Sequence, residues 1–313
     1  MKQTPHVAFL LSPGMGHMIP MLELAKKFTH QNISSTLIVP DSGLHPDEEK
    51  LFLESLPKGI INLIHLPKPK LDDVQTDPIG VIIFTIARSL PSIRDAIRSL
   101  VATTNLVALV TDLMGSAAFD VARELDVLPY MFFPSNATVL SLYLYLPELD
   151  PNISCAYKDL AGPVQIPGCM PLRADDLFEA FKDRDSFAYK WIISEGRAYR
   201  TAAGVLVNTF DEMESGAIKA LQQNEHYPPL KIAIRIQTKI RNCKNAGNDE
   251  DGEEGLIGRN EIAGVVESLM EGEPGKELRK RARGLMQAAK LAVNPGGQSA
   301  KSLLDFVLHL DRN

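Results

Sequence analysis

Cysteine is scarce in this chain. Cys155, Cys169 and Cys243 are the three in 313 residues, and they stand far apart with no C-x-x-C spacing. An odd, dispersed set excludes a disulfide framework and a structural zinc site, so no metal is expected. Excess positive charge is also missing. Lys and Arg number 33 against 39 Asp and Glu, for a formal net charge of -6. Bulk electrostatics therefore favours neither nucleic acid nor an anionic membrane as a partner. No uninterrupted apolar run approaches the ~20 residues of a membrane span. The first residues, Met1-Lys-Gln-Thr-Pro-His6, lead directly into a strand-like segment. They lack the longer apolar region and small-residue cleavage site of a secretory signal. The expected location is the cytoplasm.

What is present is an alternation of short apolar runs with helical patterns. Strands are expected at Val7 to Leu11, Ser35 to Val39, Ile61 to His65, Val107 to Thr111, Pro129 to Phe133 and Gly204 to Phe210. Helices are expected at Pro20 to His30, Val81 to Leu100, Ser116 to Leu125, Ala137 to Tyr145, Ser186 to Thr201 and Asp211 to Gln222. Such β-α alternation implies an α/β fold with a parallel, Rossmann-like sheet and helices on both faces. Residues 146 to 184 are rich in Pro, Gly and Asp and read as a long loop region. After His226 the character changes. Pro228 and Pro229 break the pattern, and Leu230 to Ile236 reads as a short strand. The polar, acidic stretch from Asn242 to Glu254 reads as a solvated loop, with a ligand-binding acidic loop as the alternative. Helical patterns at Arg259 to Met270, Pro274 to Val293 and Gln298 to Leu310 close the chain. In the last, Leu303, Phe306, Val307 and Leu310 form a stripe that must pack on something. We expect a first domain over 1–228 and a second unit over 229–313.

His17 is the most informative residue. It lies in Leu11-Ser-Pro-Gly-Met-Gly-His17-Met-Ile-Pro20, a Gly-rich passage from strand to helix. Open α/β sheets bind ligands at such places, outside the carboxyl ends of the strands. An imidazole with an ordinary pKa of about 6.5 can accept a proton near neutrality. A lone histidine there can equally be a polar turn residue without chemistry. Asp112, in Val107-Ala-Leu-Val-Thr-Asp112-Leu-Met-Gly-Ser116, ends another apolar strand and falls on the same rim. It reads either as a helix cap or loop carboxylate, or as the orienting partner of a His–Asp dyad. A dinucleotide-binding dehydrogenase is disfavoured. Gly14 and Gly16 are present, but His17 and Pro20 stand where G-x-G-x-x-G would finish.

Residues 1 to about 226 resemble the N-terminal domain of the plant family 1 UDP-glycosyltransferases, in particular its hydroquinone and related phenolic glucosyltransferases. The matching segments are Pro13 to Pro20, Val110 to Gly115, Tyr130 to Asn136, Ile166 to Pro171 and Gly204 to Phe210, in the family's order and spacing. The resemblance implies a GT-B fold, two Rossmann-like domains facing a cleft. It implies that His17 deprotonates a phenolic or similar hydroxyl while Asp112 orients it, and that the oxygen displaces UDP from UDP-glucose with inversion. By the same resemblance Gly16, Ser135 and Asn136 would lie at the substrates. UDP-glucose enters as donor substrate, and no cofactor is implied.

The family's donor signature is absent. It opens with Trp-x-Pro-Gln and runs through His-Cys-Gly-Trp-Asn-Ser, yet the only tryptophan here is Trp191 and no His-Cys-Gly occurs. Gly255 to Val266 and Leu269 to Arg279 nevertheless resemble the family's C-terminal tail. The expectation is an internal deletion that leaves a truncated helical remnant of the second domain, in a family longer by roughly one domain of ~150 residues. UDP-sugar binding is then expected to be weak or absent and activity impaired. Exposed apolar surface is expected to favour association. The alternatives are a non-catalytic remnant that binds an acceptor or a partner, and an aberrant splice or gene-model product.

Overall fold

The computed structural model describes residues 4–312 apart from 45, 55, 57–58, 60, 73–77, 182 and 234–258. Its centre is one parallel sheet of seven strands in the order β3-β2-β1-β4-β5-β6-β7. The strands are β1 (Pro5–Leu10), β2 (Ser34–Val39), β3 (Asn62–His65), β4 (Asn105–Thr111), β5 (Leu128–Phe133), β6 (Gly204–Val207) and β7 (Leu230–Ala233). The first three step outward in one direction and the chain then returns to add β4 on the other side of β1. This reversal is the topological switch point of a doubly wound sheet.

The apolar strands have side chains on both sheet faces, as parallel strands covered by helices must. Val7, Phe9 and Leu11 turn to one side, with Ala108, Val110, Tyr130, Phe132 and Leu206. That side is closed by α1 (Met15–Thr29) and α10 (Gln298–Arg312). Ala8 and Leu10 turn to the other side, against α3 (Pro78–Thr103) and α4 (Phe119–Glu124). Farther along that face, Met131, Phe133, Val205 and Val207 meet α5 (Ala137–Leu149), α6 (Phe187–Tyr199) and α7 (Asp211–Gln223).

Several boundaries differ from the sequence reading. Helix α1 begins at Met15, and Pro20 lies inside it rather than at its start. The cause is Gly14, whose φ of 104° turns the strand exit sharply. Its carbonyl then accepts the N–H groups of both His17 and Met18 at 3.0 Å, which starts the helix early. A helix absent from the sequence reading, α2, spans Pro46–Glu54. The segment from Ser116 opens as a 3-10 turn through Ala118 before α4. Helix α7 starts at Asp211, as expected, and is broken at Glu214 (φ -141°, ψ 42°). The long loop region carries four short 3-10 turns, at Asp150–Asn152, Tyr157–Asp159, Ala174–Asp176 and Glu179–Phe181. The acidic stretch at 242–254 lies outside the described residues.

The sheet does not stop at 228. β7 pairs in parallel with β6 through Val207↔Ala233, so the first strand expected in the second unit belongs to the first unit's sheet. The remaining elements are helices, α8 (Arg259–Met270), α9 (Glu273–Val293) and α10. The apolar stripe of α10 finds its partner: Leu303, Phe306, Val307 and Leu310 are all buried in the core beside α1. Phe306 sits between Phe28, at 5.7 Å, and Tyr130, edge to face at 4.8 Å. Phe306→Ala should cost about 3–5 kcal/mol, because the neighbouring rings cannot fill the space. A urea titration should show a lower midpoint with an unchanged slope. Leu304→Ala, on the exposed side of the same helix, should change stability by less than about 0.5 kcal/mol.

Candidate active site

The adjacent strands β1 and β4 run in register, with Leu10 opposite Thr111. The residues just beyond their ends therefore emerge side by side. Ser12 follows β1 and Asp112 follows β4, and both are wholly buried. The Ser12 hydroxyl donates to Asp112 Oδ1 at 2.5 Å, and the Met114 N–H donates to the same oxygen at 3.0 Å. The other oxygen, Oδ2, lies 2.8 Å from His17 Nδ1. A buried carboxylate is costly unless its lone pairs are satisfied, and here both oxygens are engaged.

His17 stands on the first turn of α1, with its side chain 20% exposed. An ionised carboxylate only accepts, so Asp112 places the ring proton on Nδ1 and leaves the Nε2 lone pair for another group. Burial disfavours the imidazolium, but the hydrogen bond and charge of Asp112 outweigh it and raise the His17 pKa above its ordinary 6.5. The result is a stronger base than a free imidazole, with its tautomer and orientation held from behind.

The other sequence-predicted residues are distributed around the same rim. Gly16 is exposed on the first turn of α1, with open space where a side chain would be. Ser135 is exposed in the loop after β5. Asn136 caps α5, its side-chain oxygen accepting from the Val139 N–H at 2.9 Å. Among the described residues no hydrogen bond links Ser135 or Asn136 to the His17–Asp112 pair, so the structure joins only those two members of the expected set.

Residues without a local signature support the site. Glu49 of α2 accepts the Gly14 N–H at 2.8 Å and holds the turn that launches α1. It also borders a groove of about 410 Å³ at the ends of β2 and β3, with Asp41, Leu53 and His65. Glu214, at the break in α7, accepts the Ala137 and Thr138 N–H groups at 2.9 Å each and the Thr209 hydroxyl at 2.5 Å, which braces the start of α5. Among the described residues no group of three or more His, Cys, Asp or Glu is placed to hold a metal ion, and no helix is long and apolar enough to cross a membrane.

No protein-family profile matches the chain. Hydroquinone glucosyltransferase of Rauvolfia serpentina is 45% identical to it over 255 residues, covering 78% of this chain and 54% of the relative. The chain belongs to the plant family 1 UDP-glycosyltransferases. UDP-glycosyltransferase 72B1 of Arabidopsis thaliana agrees, at 42% identity over 226 residues, covering 71% of this chain and 47% of that one. This glycosyltransferase-family chain therefore spans about half the length of the curated relatives it matches. Among solved structures, a Polygonum tinctorium UDP-glucosyltransferase capable of glucosylating indoxyl, in complex with 3,4-dichloroaniline, superposes with a TM-score of 0.90 at 27% identity, covering 99% of this chain and 100% of that one. The fold is GT-B-like, with one Rossmann-like sheet among the described residues.

Removing the Asp112 charge while keeping its shape tests the pair directly. In Asp112→Asn the His17 pKa should drop, because burial remains and the compensating carboxylate is gone. A histidine ring titration followed by NMR, assigned with His17→Asn, reads this drop.

Proposed function

We propose that this chain is the acceptor-side half of a UDP-glucose-dependent phenolic glucosyltransferase, with His17 as general base and Asp112 as its orienting partner. One observation carries the reading: a part-exposed imidazole at the switch point of the sheet, bonded through Nδ1 at 2.8 Å to a wholly buried carboxylate. The names of the relatives support the substrate class. A phenol or similar hydroxyl meets Nε2 and gives it its proton. The phenolate oxygen forms a bond to the anomeric carbon of UDP-glucose from the face opposite the leaving group. The bond from that carbon to the UDP oxygen breaks, UDP leaves with the electron pair, and the anomeric configuration inverts. Asp112 stabilises the imidazolium formed in the step. Phenols have pKa values near 10, so the base need supply only modest help.

Gly16, Ser135 and Asn136 stand at the substrate rim in this reading. Gly16 offers open space beside the base, and Ser135 and Asn136 face the donor sugar. The donor is held weakly, because the Trp-x-Pro-Gln and His-Cys-Gly-Trp-Asn-Ser stretches that bind it in the family are absent from the sequence. Holding both reactants in attack geometry is worth on the order of 7–11 kcal/mol, so transfer by this chain alone is slow. The same absence favours a second reading, a non-catalytic remnant that binds an acceptor or a partner. Exposed Val266, Leu269 and Met270 on α8 and Leu278, Met286 and Leu291 on α9 are apolar side chains available for association. The proposed setting is the cytosol.

Incubation with UDP-glucose and a panel of phenols, with glucosides detected by mass spectrometry, separates the readings. Under the enzyme reading slow turnover appears and falls by about 10²-fold or more in His17→Ala. Its rate rises with pH as His17 loses its proton, and the raised pKa moves that limb above the position expected for a free histidine. Phenol binding without turnover would support the remnant reading instead.

A further inference from the structure

A second carboxyl group lies behind the pair. Glu195 on α6 is 7% exposed. Gly196 makes this approach possible, because a Cβ there would fall 2.1 Å from the Tyr143 carbonyl oxygen and hold α6 away from α5. The Ser116 hydroxyl hydrogen-bonds to the Glu195 carboxylate, and the negative charge of Asp112 acts on it. Its other oxygen, Oε2, is buried and has no hydrogen-bond partner among the described residues. The groups facing it are Asp112 and Ser116 from the loop and turn after β4, Tyr143 from α5, and Tyr199 one turn along α6. Tyr143 and Tyr199 stack at 5.8 Å, and the Tyr199 hydroxyl donates to the Leu113 carbonyl at 2.6 Å. No cation is among these neighbours.

We propose that Glu195 is a positioning residue that acts through Asp112. Its neutral form leaves one negative charge behind His17, and its ionised form makes two, so that the proton on Glu195 sets how strongly the site holds a proton on the His17 ring. This rests on reading His17 as the base, but the coupling itself exists whether or not the chain transfers sugar. The physical reason is the difference between two neighbouring carboxyl groups. Asp112 has partners on both oxygens and a histidine beside it. Glu195 has one hydroxyl donor and, among the described residues, no partner for its buried Oε2, so a second full negative charge there is unfavourable. Burial, with the Asp112 charge added and the Ser116 hydrogen bond opposing, pushes the Glu195 pKa up to about 7.

The test reads protons rather than turnover. In the unaltered protein, the side-chain carboxyl carbon of Glu195, followed by 13C NMR, should titrate near neutrality. Titration in the ordinary carboxylate range would overturn the proposal without any variant. In Glu195→Gln, which keeps shape and removes the charge, the upper part of the His17 titration should move to lower pH. An unmoved His17 titration in a variant with a wild-type near-ultraviolet spectrum would also overturn it. The thermal midpoint supplies an independent readout. The folded protein holds this proton more tightly than an unfolded chain, whose glutamate titrates near 4.5. Stability should therefore fall as pH rises from about 5 to about 8, and fall less in Glu195→Gln. A failed glucoside assay with an intact shift in His17 would count against the transferase reading alone.

Discussion

The parallel pairing of β1 with β4 is the constraint on which the site depends. The register Leu10↔Thr111 places the exits of two strands, a hundred residues apart in the chain, within hydrogen-bond reach. Ser12 then meets Asp112, and the first turn of α1 carries His17 over the same carboxylate. A slip of one residue would turn Val7 and Phe9 away from the α1 face and Ala8 and Leu10 away from the α3 face. Burial on both faces of the strand forbids that slip, so packing of the core and placement of the base are one requirement.

Charge is distributed around this point by how well each carboxyl is solvated by protein. Asp112 is wholly buried and tolerable there because Ser12, Met114 and His17 all donate to it. Its charge in turn overcomes the burial that would otherwise weaken His17 as a proton acceptor. Glu195, a short distance behind, has the same chemistry and poorer partners, and its affinity for a proton rises accordingly. Burial and the neighbouring Asp112 charge drive that rise, and the single hydrogen bond from Ser116 only opposes it.

The C-terminal helices have unequal ties to this frame. Helix α10 is part of the first core, seated on Phe28 and Tyr130 through Phe306. Helix α9 touches it more lightly, with Ala289 and Ala292 against Phe210, and the Gln298 amide donates to the Asp211 carboxylate at the same corner. Helix α8 shows exposed Val266, Leu269 and Met270. The sheet and α10 thus share one core, and α9 packs on it through Phe210.

Much of this was legible from sequence because the strands are buried on both faces and read as short continuous apolar runs. The stripe Leu303, Phe306, Val307 and Leu310 likewise announced a buried helix face through its spacing. Their positions at the ends of apolar strands singled out His17 and Asp112, and motif order pointed to the family. Local pattern could not place the start of α1, which depends on a positive φ at Gly14, or reveal α2, whose Glu49 secures that turn. Nor could it indicate that Ser12 and Glu195 converge on Asp112 while Ser135 and Asn136 stand apart. Sequence determined which segments must be buried, because apolar periodicity is written residue by residue. Tertiary structure decided which polar groups meet, because those partners are chosen by strand order and register between parts of the chain that no local pattern connects.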